Sequence, residues 1–165
     1  MEQIGDIRGT IIRNVAITPG YYLASIRLAT PMPLPRPGQF VMISLPSREV
    51  FLRRPFSIYE YAEGVLSILY KVAGKGTALL ASAGQEDEIM VLGPLGNGFT
   101  VFPGHKAVIV AGGIGLPPLL FAAEVMAAKG LPFDLYLGAA SGAELLAADR
   151  CEAVVRAGGG ELVVT

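Results

Sequence analysis

Four short segments of this sequence carry side chains and glycines suited to holding an anion. The first is Leu52-Arg53-Arg54-Pro55-Phe56-Ser57-Ile58-Tyr59. Arginine offers a planar fork matched to phosphate oxygens, and serine offers a hydroxyl on a short arm, so Arg54 and Ser57 are candidate phosphate ligands. Strand alternation places Arg54 and Phe56 on one face and Pro55 with Ser57 on the other. A twist at the strand end must therefore bring Arg54 and Ser57 to one ligand. An edge strand with two solvated arginines has the same spacing.

The second segment, Tyr70-Lys71-Val72-Ala73-Gly74-Lys75-Gly76-Thr77, leads into a helix. Glycines let the backbone approach an anion closely, and a helix start offers free N–H groups with a favourable dipole. Thr77 can cap that helix or donate to a phosphate, and an ordinary capped helix shares the pattern. The third, Gly93-Pro94-Leu95-Gly96-Asn97-Gly98-Phe99, marks a tight loop or a plain connector. The fourth is Ala111-Gly112-Gly113-Ile114-Gly115-Leu116-Pro117-Pro118. It lacks the spacing of the usual dinucleotide fingerprint. Its strand–glycine–helix setting nevertheless suits a phosphate or the close approach of a nicotinamide ring.

Two kinds of element must position these segments. Up to residue 103 the sequence holds short β-like runs at 10–17, 21–28, 39–45, 56–61, 65–72 and 88–92. Pro31, Pro33, Pro35 and Pro37 break the chain before the third run, and Glu63-Gly64 supplies a hairpin turn before the fifth. This spacing predicts an antiparallel sandwich or barrel, and about six strands suffice to close a small Greek-key barrel. One short helix is expected over 77–83, closed by Gly84. From Gly104 the pattern turns to α/β: a strand at 106–111, a helix from Pro117 to Lys129, a strand at 133–138, a helix at 143–156 and a strand from 161. That is half of a doubly wound nucleotide-binding sheet.

Composition narrows the function classes. Hydrophobic residues make up 52% of 165, yet glycines at 112, 113 and 115 split the longest apolar stretches. A membrane helix needs roughly 20 consecutive apolar residues. With no secretion signal to read at the start, a soluble, cytoplasmic protein is expected. The 13 Lys and Arg against 14 Asp and Glu are thinly spread and leave no basic patch for nucleic acid. The single cysteine, Cys151, can form neither an internal disulfide nor a four-thiolate metal site. His105 falls in a Pro-Gly-His-Lys connector and is expected on a surface loop.

Taken in order, Arg-Pro-Phe-Ser, Gly-Lys-Gly-Thr, Gly-Pro-Leu-Gly-Asn-Gly-Phe and Gly-Gly-Ile-Gly-Leu-Pro-Pro resemble the ferredoxin–NADP reductase superfamily. Within it the likeness is closest to the electron-transfer subunit of class 1B dihydroorotate dehydrogenase, and it runs from about Gly5 to Thr165. The resemblance implies a six-stranded FAD-binding barrel domain over 1–103 and the first half of an NAD(H)-binding domain over 104–165. It implies cofactor contacts from Arg54, Pro55, Phe56, Ser57, Tyr70, Lys71, Gly74, Lys75, Gly76 and Thr77, and a nicotinamide site opened by Gly112, Gly113 and Gly115. Phe56 stands where many members carry a tyrosine. No catalytic side chain and no metal ligand is implied for this chain.

The partner implied is the catalytic subunit of dihydroorotate dehydrogenase in pyrimidine biosynthesis, in a hetero-oligomer that involves neither nucleic acid nor membrane. The small subunit of a sulfide dehydrogenase or ferredoxin:NADP oxidoreductase has the same two domains. A non-catalytic docking barrel is the alternative from another class. Two departures stand out. The family's four-cysteine [2Fe–2S] segment and the last strands of its NAD domain are absent, so the resemblance implies a C-terminally shortened chain with impaired activity alone.

Overall fold

A hairpin through Pro19 and Gly20 starts the architecture, joining β1 (Asp6–Thr18) to β2 (Tyr21–Leu28) in antiparallel register. The computed structural model describes residues 5–47, 50–101 and 104–165. Five further strands complete the first sheet: β3 (Phe40–Ser44), β4 (Arg54–Ser57), β5 (Glu60–Ala62), β6 (Val65–Lys71) and β7 (Glu88–Leu95). Their order is β4-β3-β7-β1-β2-β6-β5, and every pairing is antiparallel. The inward residues Ile11, Ile26, Val41, Ile43, Leu66, Ile68 and Val91 are fully buried and build one core.

The two ends of this sheet are consecutive in the chain. Between β4 and β5, the Ile58 amide donates to Gln39 O at 3.3 Å, and the Tyr59 amide donates to Ser67 O at 3.0 Å. Two residues thus bridge the β3 side to β6 and close the sheet into a barrel. Their side chains part company: Ile58 enters the barrel core, while Tyr59 enters the second core described below.

Seven strands stand where six were expected, because the run at 56–61 breaks at this crossing into β4 and β5. The Gly93–Phe99 segment is no plain connector. The Phe99 amide donates to Pro37 O at 2.7 Å, and the Gln39 side chain donates to Gly96 O at 2.7 Å. Gly98 has φ +73°, and a Cβ there would lie 2.9 Å from Pro37 O, so the loop is fitted against the proline-rich segment.

Helix α1 (Lys75–Ser82) lies between β6 and β7, two residues earlier in its start than expected, and is tied at both ends. Thr77 Oγ1 accepts from the Ala73 and Gly74 amides at 2.9 and 3.1 Å. At the other end the Asn14 side-chain amide donates to Leu80 O at 2.7 Å and Ala83 O at 2.9 Å, while Asn14 Oδ1 accepts from Tyr70 Oη at 3.0 Å. A polar side chain on β1 therefore satisfies helix-end carbonyls that would otherwise lack partners.

The second sheet is parallel: β8 (Ala107–Gly112), β9 (Phe133–Gly138) and β10 (Leu162–Val164), in the order β10-β9-β8. Helices α2 (Leu116–Ala128) and α3 (Ala148–Gly158) pack with Ile109, Ala111, Phe133, Leu135 and Leu137 in a core shared with the barrel residues Tyr21, Tyr59 and Leu69. The expected helix over 143–156 begins later. A short turn at Gly142–Glu144 comes first, Leu146 is drawn into the core at 3% exposure, and Ala147 adopts φ 49° before α3 starts. The expected domain boundary after residue 103 meets Phe102 and Pro103, which lie outside the described residues. His105 is exposed, as expected. Among the described residues no helix is long and apolar enough to cross a membrane.

Two predictions follow from this packing. Asn14→Ala strands two helix-end carbonyls and the Tyr70 hydroxyl; it is expected to cost about 1–3 kcal/mol, read by urea unfolding. A variant as stable as the parent would contradict the tether. Burial pushes the Cys151 thiol up to about 11. Above the unfolded thiol value of about 8.5, the unfolded chain binds fewer protons than the fold, so stability falls as pH rises. The melting temperature should decline between about pH 8.5 and 11, and Cys151→Ala should lessen that slope; an identical slope in the variant would remove Cys151 from the account.

Candidate functional site

The two arginines before Pro55 have different fates. Arg53 makes a two-point pair with Asp6 of β1, Nη1 to Oδ1 at 2.5 Å and Nη2 to Oδ2 at 2.8 Å. The Arg53 hydrogen bond holds the Asp6 carboxyl below its ordinary range. Arg53 is thereby committed to the fold. Arg54 opens β4, and its Nη1 donates to Leu52 O at 2.8 Å. Its side chain lies across the first turn of α1: a Cβ on Gly76 would sit 2.8 Å from Arg54 Nε and 3.2 Å from Cγ.

Arg54 and the turn at 74–77 therefore form one surface. Gly76 is buried under the arginine, and Lys75 is exposed beside it. The amides of Lys75 and Gly76 lie at the open end of the helix without intrahelical partners. Thr77 is engaged as the cap, which leaves the backbone and Arg54 to meet an anion. The guanidinium and the positive end of the helix dipole reinforce each other there.

The remaining barrel residues divide. Ser57 is half-buried, and its hydroxyl has no hydrogen bond among the described residues. Pro55 is exposed on β4, an edge strand, where a missing N–H costs no ladder bond. Phe56 is 7% exposed and meets Tyr70 edge-on at 5.7 Å; Tyr70 in turn stacks on Tyr22 at 5.6 Å. Tyr70 is 2% exposed with its hydroxyl on Asn14, and burial raises its pKa. It supports Phe56 from behind. Lys71 is exposed, its Nζ lying 4.9 Å from the centre of the Tyr21 ring.

Gly112, Gly113 and Gly115 stand at the carboxyl end of β8, where α2 begins. Gly113 has φ +47°, which a residue with a side chain adopts only under strain. Gly112 and Gly113 line a cavity of about 530 Å³ with Val110, Tyr136, Gly138, Ala139 and Thr165. This is the crevice beyond the strand ends where open α/β sheets bind ligands. The turn at Gly113–Gly115 lies against β6, so the glycine loop faces the barrel. Pro117 in the first turn of α2 is tolerated because its position needs no helical N–H.

A four-thiolate cluster does not fit these residues. Cys151 is the chain's sole cysteine and is fully buried on α3. Among the described residues no three His, Cys, Asp or Glu side chains converge as a metal site.

The barrel followed by a parallel sheet is the ferredoxin-reductase-like fold. The NADH-dependent reduced ferredoxin–NADP oxidoreductase structure matches it with a TM-score of 0.83 at 28% identity, covering 94% of this chain and 55% of that one. The Amycolatopsis cytochrome P450 reductase GcoB matches with 0.84 at 25% identity, covering 99% and 52%. No protein-family model matches the chain. The curated relatives name a particular protein: the electron transfer subunit of dihydroorotate dehydrogenase B (NAD(+)). That of Enterococcus faecalis is 37% identical over 137 residues, 80% of this chain and 52% of its own length. That of Clostridium acetobutylicum is 39% identical over 129 residues, 78% and 50%. The resemblance read from the four motifs therefore holds over about four fifths of this chain. The chain spans about half the length of the curated relatives it matches.

The Arg54–Gly76 contact can be checked without a ligand. Gly76→Ala should expel Arg54 from the helix start and shift its Nε–H resonance, while α1 gains about 0.5–1 kcal/mol from the better helix former. An unmoved Arg54 signal would contradict the contact.

Proposed function

We propose that this chain supplies the flavin-holding part of an electron-transfer subunit. In this reading residues 1–103 form the FAD domain and 104–165 the first half of an NAD(H) domain. The observation that carries it is Arg54 lying across Gly76 at the open end of α1. Such a cradle of guanidinium, backbone amides and helix dipole suits a diphosphate. Ser57 adds a hydroxyl with no hydrogen bond among the described residues, and Phe56, buried against Tyr70, backs the strand that carries it. Bound FAD would supply hydride and single-electron chemistry, while the protein contributes position and electrostatics.

On the other side, Gly112 and Gly113 present backbone without side chains to a nicotinamide nucleotide in the crevice at the strand ends, and Gly115 closes the turn that leads into α2. The partner in this reading is a dihydroorotate dehydrogenase catalytic subunit acting in cytoplasmic pyrimidine biosynthesis. No step is assigned to a [2Fe–2S] cluster, because the residues present do not fit one. The match to the ferredoxin–NADP oxidoreductase structure favours a second reading, a small subunit of that type. Co-purification with a dihydroorotate-oxidising flavoprotein, as against an iron–sulfur flavoprotein, separates the two.

Arg54→Ala should weaken FAD binding by about 1.5–3 kcal/mol, the range for a charged hydrogen bond, which is roughly a 10- to 150-fold rise in Kd. A fluorescence titration with FAD measures it. Equal affinity in the variant would remove Arg54 from the site, and a folded parent chain that takes up no FAD would favour the docking barrel.

A further inference from the structure

One side chain touches three separate parts of the molecule. Arg150 on α3 donates from Nε to Glu124 Oε1 of α2 at 2.5 Å and from Nη1 to Glu60 Oε2 of β5 at 3.1 Å. Its guanidinium carbon also lies 4.5 Å from the centre of the Tyr59 ring. Glu124 belongs to the α/β part, and Glu60 and Tyr59 belong to the barrel. Burial opposes the Arg150 charge, and the Glu124 carboxylate more than restores it, so the cation stays fixed.

The surface that Arg150 spans is mostly apolar. Tyr21, Tyr59 and Leu69 of the barrel pack with Leu116, Leu120 and Ala123 of α2. Apolar burial is non-directional and tolerates sliding, whereas a charged, forked contact fixes register. A second polar contact, Tyr21 Oη to Glu144 Oε2 at 3.1 Å, lies on the same seam. The Arg150 contacts are the ones that join two helices and a strand at one point.

We infer that Arg150 is a positioning residue that clasps α2 to β5. The clasp sets where the Gly113–Gly115 turn stands relative to the part of the barrel carrying Arg54. Leu116 and Leu120 continue directly from that turn and are fully buried in the seam, so a shift of α2 moves the glycine loop with it. The consequence for chemistry rests on the proposed flavin and nicotinamide sites: hydride transfer requires reacting atoms about 3–3.5 Å apart, and a shift of about 1 Å can cost 100-fold.

The test uses the full chain without cofactor. Spin labels at Glu63→Cys and Arg156→Cys, both exposed, report the distance between barrel and α3; Cys151 is buried and escapes labelling. The parent should give a narrow distance distribution. Arg150→Ala should broaden it about twofold, since domains joined by modest interfaces move by default. Glu60→Gln removes the charge of one barrel-side partner, leaving the Tyr59 ring, and should broaden it to a lesser degree, which keeps the inference testable if Arg150→Ala fails to fold. An unchanged width in a folded Arg150→Ala variant, or in Glu60→Gln where that is the folded one, overturns the clasp. With FAD added, Arg150→Ala should keep the parent's Kd for FAD, since Arg150 forms no part of the Arg54–Gly76 cradle. Failure of the parent to bind FAD would count against the flavin reading alone, because the label distances need no cofactor.

Discussion

A guanidinium laid over a glycine joins the edge of the barrel to its helix, and the candidate site depends on that contact. Arg54 sits on β4, an outermost strand whose sole ladder partner is β3. It can reach α1 because the chain crosses from β4 to β5 through Ile58 and Tyr59 and wraps the sheet shut. Closure brings β4 beside β6, and β6 runs out into the turn that opens α1. Gly76 then leaves the space for the arginine stem. Arg53 contributes by occupation: paired to Asp6, it anchors the segment and leaves its neighbour to face the helix.

The same crossing links the two cores. Ile58 and Tyr59 are adjacent, fully or nearly fully buried, and committed to different clusters. At this point a single peptide unit stands between the two packed interiors. The Gly93–Phe99 loop adds a second restraint by fastening the exit of β7 to the proline-rich segment.

What was legible in the sequence was mainly what is local. The turn at 74–77 reads as a helix start because glycine and threonine act on backbone groups within a few residues, and Thr77 does cap its own helix. The parallel βαβ pattern reads through because Ala107–Gly112 and Phe133–Gly138 are short apolar runs framed by glycine. The break between β4 and β5 was hidden, since Phe56, Ile58 and Tyr59 are all apolar and only tertiary structure decides which interior each enters. Asn14 gave no signal either: a lone asparagine inside a strand pattern says nothing of a helix end 66 residues away. Arg150, Glu124 and Glu60 are likewise ordinary helix and strand-edge charges until the fold collects them.

The parallel sheet has one bare side. Both of its helices pack on the Ile109, Leu135 and Leu137 face, while Val108, Val110 and Tyr136 on the other are 63, 70 and 37% exposed. Parallel sheets usually lie between two layers. Here β9 alone has ladder partners on both flanks, and β8 and β10 each have one. Backbone amides in the three strands therefore cannot open to water with equal ease. Exchange with heavy water should run fastest along the outer strands and slowest in Phe133–Leu137, so that protection falls away on either side of a single central line.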